Sequence, residues 1–292
     1  MSLIKRFKGN AALLLIAAFF IFANIAPAHS AWTREKGTWF SANSINYYSS
    51  NNFIDDNGNA IAHPNFTKWE WNGYVEYGLE DDTTLGGNAF IHAVSTEKQF
   101  YTATSNTVQR ETATNYGLAD TEFFIRHRLW QGTWLNRDTV ISVQPLIKLP
   151  SFYADASTPR SGTDNFDAEL KLQLGYNFTL YNRNHFVLID LAYRKRFGDW
   201  KDQLKSDATL GLTMSDNTML LLQNFTTLRA QNDNSPANPN TLANDYDLVK
   251  SQASLVYRFA PNKRIQFGGF MHTKARNTGS GEGVIISLWQ EF

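Results

Sequence analysis

Cysteine is absent from all 292 residues, so neither disulfides nor thiolate metal sites can hold this chain together. Stability must come from backbone hydrogen bonding and packing. Net charge is absent too: 27 basic side chains stand against 27 acidic ones, which leaves no bulk attraction for nucleic acid. Long apolar runs are missing beyond the first 31 residues, and a mean hydropathy of −0.37 is too polar for a bundle of membrane helices. Helical spacing and helix caps are scarce. Aromatic residues, by contrast, make up 14% of the chain, and they favour strands.

The N-terminus has the order of a secretory leader. Lys5, Arg6 and Lys8 supply positive charge, residues 11–25 an apolar run, and residues 26–31 small side chains. The run is short for a bilayer-spanning helix. Cleavage is expected near Ala28 or Ser30, giving a signal peptide over 1–30 and a single mature domain over 31–292.

From Gly37 onward, period-two alternation dominates. Trp69, Trp71, Val75 and Tyr77 fall on one face, with Lys68, Glu70, Asn72 and Glu76 on the other. Likewise Ala168, Leu170, Leu172, Leu174 and Tyr176 oppose Asp167, Glu169, Lys171, Gln173 and Asn177. Twelve strands are expected, at 37–48, 66–79, 83–94, 117–130, 139–149, 166–178, 185–197, 203–214, 218–228, 246–259, 264–274 and 284–292. Their connections alternate. Short ones at 80–82, 131–138, 179–184, 215–217 and 260–263 separate longer ones at 49–65, 95–116, 150–165, 229–245 and 275–283, with 198–202 the exception.

Alternation alone does not say whether the apolar face points inward, as in a soluble sandwich or barrel, or outward to lipid. The leader, the alternating loop lengths and the heavily charged opposite face favour an all-β, antiparallel up-and-down barrel in the outer membrane. An even strand count puts both termini at the periplasmic side and closes the first strand on the last. The ending Val284, Ile286, Leu288 and Phe292 is similar to the C-terminal strand signature read by the outer-membrane assembly machinery, with Gln290 departing from it. Only residues 31–36 precede the first strand, which excludes a plug domain of the large-transporter kind. Twelve strands imply a narrow, partly occupied lumen.

Candidate chemistry is sparse. His92 and Ser95 are the nearest pair for a lipid hydrolase, but their odd spacing puts them on opposite faces. Asp55, Asp56, Asn57 and Asn59 around Gly58 imitate part of a calcium loop, yet lack its terminal Glu and suit an ordinary turn. No cofactor or metal is expected. Trp69, Trp71, Tyr77, Trp130, Tyr176 and Phe292 are expected to anchor strand ends at the lipid headgroups, and His127 to face lipid near a strand end. The lumen candidates are Lys68, Glu70, Asp120, Glu122, Arg126, Arg128, Lys148, Asp167, Glu169, Lys171, Asp190, Arg194, Arg196, Lys205 and Asp207. On successive strands their charges alternate in sign, so neighbours pair. Such a belt either stiffens and fills the barrel or forms a constriction that solutes pass.

Gly117-Leu118-Ala119-Asp120-Thr121, followed by Glu122, Phe124, Arg126 and Arg128, resembles the proteobacterial outer-membrane family named for the meta-pathway of phenol degradation. Tyr77-Gly78-Leu79-Glu80-Asp81-Asp82 and Gly86-Gly87 fit the same layout, while Ala119 stands where that family commonly has glycine. The resemblance implies a small transport barrel and aromatic uptake. Passive passage of small solutes is therefore the expected function. A closed structural or surface-interaction barrel is the alternative, and a lipid hydrolase the least supported. The expected partners are membrane lipid, the assembly machinery and a small solute.

This topology predicts that an epitope tag inserted near Asn234 is accessible on whole cells and one near Asp216 is not. Reversed accessibility would overturn the strand parity.

Overall fold

The computed structural model describes residues 31–102, 107–151, 165–198, 200–230 and 245–292. The leader and most of the connections expected at 150–165 and 229–245 lie outside the described residues. Twelve antiparallel strands close into one barrel. They are β1 (Trp39–Ile54), β2 (Ala60–Glu80), β3 (Thr83–Thr102), β4 (Thr107–Trp134), β5 (Arg137–Leu149) and β6 (Asp167–Leu180), then β7 (Arg183–Arg196), β8 (Gln203–Thr213), β9 (Thr218–Arg229), β10 (Asp247–Ala260), β11 (Lys263–Arg276) and β12 (Thr278–Glu291).

Each strand pairs with its sequence neighbours, and β1 closes on β12 with Phe40 opposite Glu291 and Ile45 opposite Ile286. At the seam, Trp39 and Phe292 exchange backbone hydrogen bonds of 3.0 and 2.9 Å. The start of β1 and the end of β12 share one end of the wall with the tight turns, called here the terminal end; the opposite end is the loop end. Two of the tight turns, Leu135–Asn136 and Tyr181–Asn182, hold both residues at positive φ (51° and 60°; 50° and 59°). Paired positive φ is the type I′ geometry, whose twist matches that of the strands it joins.

The wall is inside-out relative to a soluble barrel. Outward side chains are apolar and bare: Ile45 is 54% exposed, Trp69 55%, Leu170 59% and Leu255 53%. Inward ones are polar and packed: Arg126 and Asp167 are 1% exposed and Glu169 4%. This settles the direction that alternation left open. Aromatic pairs stand on the outer face, Trp39 on Tyr77 with centroids 4.6 Å apart and Tyr47 on Trp69 at 4.8 Å. His127 faces outward at the terminal end, within 3.0 Å of the Thr83 hydroxyl.

Three expected loops are corrected. Residues 49–65 and 95–116 are largely strand, because the β1–β2 ladder runs on to Ile54 opposite Ala60 and the β3–β4 ladder to Thr102 opposite Thr107. The connection expected over 275–283 shrinks to Asn277. Its glycines are part of β12: a Cβ on Gly281 or Gly283 would collide with the carbonyl oxygens of Ser49 and Tyr47. β1 absorbs the misfit with a bulge between Ser49 and Asn52. Beyond Thr121, which faces Leu149, β4 continues toward the loop end without a β5 partner.

An arginine placed on the bare outer face should meet hydrocarbon. Leu172→Arg is expected to destabilise the barrel in lipid vesicles by about 2–4 kcal/mol, as read from denaturant unfolding, and a neutral result would contradict the outward assignment.

Candidate functional site

The inward-facing positions form three zones. At the terminal end, the segment before β1 turns into the barrel. The Ala31 carbonyl accepts a 2.6 Å bond from the Ser142 hydroxyl, and the Trp32 carbonyl accepts one of 3.1 Å from Arg126. The Trp32 indole covers Gly175, where a Cβ would strike the ring. Arg34 reaches Glu76 at 2.7 Å and Glu291 at 3.8 Å. This short segment itself occupies the bore at the terminal end. Beside it lies an apolar layer of Phe40, Val140, Phe186, Leu188, Leu221, Val256 and Trp289.

The second zone is ionic and runs along β4 to β8. Arg126 holds Glu76 at 2.8 Å and also donates to the side chains of Gln144 and Gln173, at 3.2 and 3.1 Å. Gln173 donates on to Asp190 at 3.2 Å. Nearer the loop end, Arg194 bridges Glu169 at 2.6 Å and Glu122 at 2.7 Å, a link from β7 to β4 that passes over the intervening strands. Lys148 lies 2.9 Å from Asp167 and 3.3 Å from Asp120. Lys205 approaches Glu169 at 3.3 Å, and Lys171 sits 3.7–3.9 Å from Asp190, Asp207 and Glu169. Period two puts these side chains on one face; the barrel then stacks adjacent strands in register, Glu169 facing Arg194 and Lys148 facing Asp167.

Not every candidate joins this network. Arg128 sits beside the β4 bulge toward the terminal end and bonds Gln131 at 2.6 Å. Arg196 lies at the loop end, over Trp200 at 4.3 Å and 3.3 Å from Asp245. Lys68 and Glu70 pair at 2.9 Å on the opposite wall, where His92 is 2.8 Å from Glu70. Ser95 points the other way and bonds Thr114 at 2.9 Å, so no serine–histidine pair forms there. The Asp55 carboxylate accepts from the backbone and side chain of Asn59, at 2.7 and 3.1 Å, which closes an ordinary turn. At the loop end, burial pushes the Asp202 carboxyl up, but hydrogen bonds from Tyr193, the Arg196 amide and Lys195 outweigh it and hold the group below the usual carboxylate range.

The third zone is the other wall of the loop-end half, formed by β9, β10, β11, β1 and β2. Its inward residues, among them Gln223, Phe225, Lys250, Phe270, His272, Asn46 and Lys68, keep partial exposure inside the wall, as do Asp120, Glu122, Lys171, Lys205 and Asp207 in the belt. Lys148, Asp167, Glu169, Asp190 and Arg194 are buried, as are Tyr48 and Gln252 on this side. Accessible lumen surface therefore borders this side and the partly exposed members of the belt. Sequence reasoning left Glu76, Tyr74, Arg34, Lys250 and His272 out of the site. The parity of Glu76 with Glu70 was the available signal, and nothing in the sequence tells the segment before β1 to turn inward.

Removing one partner of a buried ion pair strands the other. Arg126→Leu is therefore expected to cost about 3–5 kcal/mol in denaturant unfolding, against a far smaller change for Lys36→Ala, which breaks only the solvent-exposed pair with Glu80. Equal effects would show that Glu76 does not depend on Arg126.

No family model matches the sequence, and no curated protein matches it. Solved structures do. An outer-membrane channel from Pseudomonas putida F1 superposes with a TM-score of 0.65 at 10% identity, covering 92% of this chain and 100% of that one. A TodX deltaS2S3 mutant, a monoaromatic hydrocarbon channel, gives 0.48 at 9% identity over 89% and 91% of the two chains. The translocator domain of the autotransporter NalP from Neisseria meningitidis gives 0.46 at 8% identity over 97% and 94%. The last two are looser matches. The barrel layout expected from the phenol-degradation resemblance thus has a counterpart in the Pseudomonas putida structure, at the level of the fold.

Proposed function

We propose that this chain is an outer-membrane channel through which small solutes, hydrophobic or aromatic ones included, pass without cofactor or nucleotide. The observation that carries the reading is the uneven lumen: buried ion pairs fill the wall around Asp167, Glu169 and Arg194, while the facing wall of β9 to β2 keeps partly exposed polar and aromatic side chains such as Gln223, Phe225 and Phe270. The bare apolar exterior fits lipid, because a soluble monomer rarely leaves contiguous apolar patches larger than a few hundred Å² facing water. In this reading the leader 1–30 directs export and is removed, the terminal end faces the periplasm, and the last strand ending at Phe292 is the handle for assembly. Passage requires the segment before β1 to yield, since it occupies the bore at the terminal end.

That same segment favours a second reading, a closed structural barrel. Ala31 is wholly buried, and Arg34 anchors the segment on the equally buried Glu76. Single-channel recording separates the two. The refolded chain beginning at Ala31 is expected to conduct weakly, and deletion of residues 31–36 to raise conductance several-fold. Silence from both proteins would favour the closed barrel, and phospholipid hydrolysis by either would favour a lipid hydrolase.

A further inference from the structure

The accessible wall contains a lysine outside the ionic belt. Lys68, Lys148, Lys171 and Lys205 each have a carboxylate oxygen within 4.0 Å. Lys250 has none among the described residues, nor a hydrogen bond there. Its ammonium lies instead 4.4 Å from the centroid of the Phe225 ring and 5.3 Å from that of Phe270. Phe270 stacks on Tyr48, with planes 5° apart and centroids separated by 6.3 Å, and Tyr48 stacks on His272 at 4.7 Å. His272 is fixed in turn, its Nδ1 lying 3.2 Å from the Tyr48 hydroxyl and 2.9 Å from the Gly279 carbonyl.

The other charged groups that act on Lys250 are Glu70, Asp207 and Lys68. Neither carboxylate comes within 4.0 Å of the Lys250 ammonium. Glu70 takes Lys68, His92 and Asn46, and Asp207 lies 3.8 Å from Lys171. Ring faces give a partly desolvated ammonium some compensation, but they do not neutralise it. A cation with no carboxylate in contact, set among partly exposed rings on the lumen face, is complementary to a molecule with a flat ring and one negative charge. A neutral arene would leave the ammonium unpaired; a small aliphatic anion would leave the rings unused.

We propose that Lys250, Phe225 and Phe270 form a binding site for an aromatic monocarboxylate, with the carboxylate on the Lys250 ammonium, the ring against the phenyl groups, and the buried Tyr48 stacked behind Phe270 as its support. The site deepens the channel reading and rests on it for its role as a stop along the passage, but binding is measurable without transport. Calorimetric titration of the refolded chain in detergent with benzoate, benzyl alcohol and acetate tests it. Benzoate is expected to bind more tightly than either control. Lys250→Met should weaken benzoate at least about tenfold, as expected for loss of a charge-assisted contact, and leave benzyl alcohol unchanged, while Lys250→Arg retains binding. Phe225→Leu keeps the charge and should weaken benzoate more than acetate, so the site stays testable if Lys250→Met does not refold. Absent benzoate binding, equal affinity for acetate, or an unchanged affinity in both Lys250→Met and Phe225→Leu would overturn the site. Benzoate that binds as described but does not cross the barrel in a liposome flux assay would leave the site standing and overturn the channel instead.

Discussion

Closure of β1 on β12 is the constraint on which the rest depends. A spanning wall has no water to satisfy its backbone, so every N–H and C=O needs a partner strand, and a barrel supplies one without an edge. The reciprocal bonds of Trp39 and Phe292 complete that circuit at the last residue of the chain. Once it is complete, period two fixes the chemistry of both surfaces, and charges confined to the inner one must find each other across strands.

The belt follows from that confinement rather than from any gain in net stability. Paired buried charges roughly balance their desolvation, so they specify an arrangement more than they strengthen it. Arg126 illustrates this: its guanidinium joins β2, β5, β6 and the segment before β1 through Glu76, Gln144, Gln173 and the Trp32 carbonyl. One side chain thereby ties the bore's occupant to the wall. The cost of the arrangement falls on one side of the lumen, and the facing side keeps the partly exposed Gln223, Phe225 and Phe270.

Much of this was legible in the sequence. Strands β6 to β11 fall within about two residues of the alternation boundaries, because their two faces differ sharply, as Leu170 and Leu172 do from Glu169 and Lys171. The loop-end halves of β1 to β4 and the start of β12 were not legible. Asn51, Asn52 and the glycines of 279–283 are turn formers by local chemistry, and only their neighbours' ladders make them strand. The site divides in the same way. Strand parity places Glu169 and Arg194 on the lumen face, but the aromatic setting of Lys250 brings together β1, β9, β10 and β11, which no local pattern encodes.

The unsupported stretch of β4 sets a limit of another kind. Toward the loop end of Thr121 that strand has β3 on one side and, among the described residues, no β5 ladder on the other, where the Ser151 hydroxyl donates to the Leu118 carbonyl at 2.6 Å. Hydrocarbon does not tolerate an edge without partners. In lipid, whatever part of that edge has no partner must stand in water, so the height of the β4–β5 ladder, which ends at Thr121 and Leu149, bears directly on where the waterline falls on this flank.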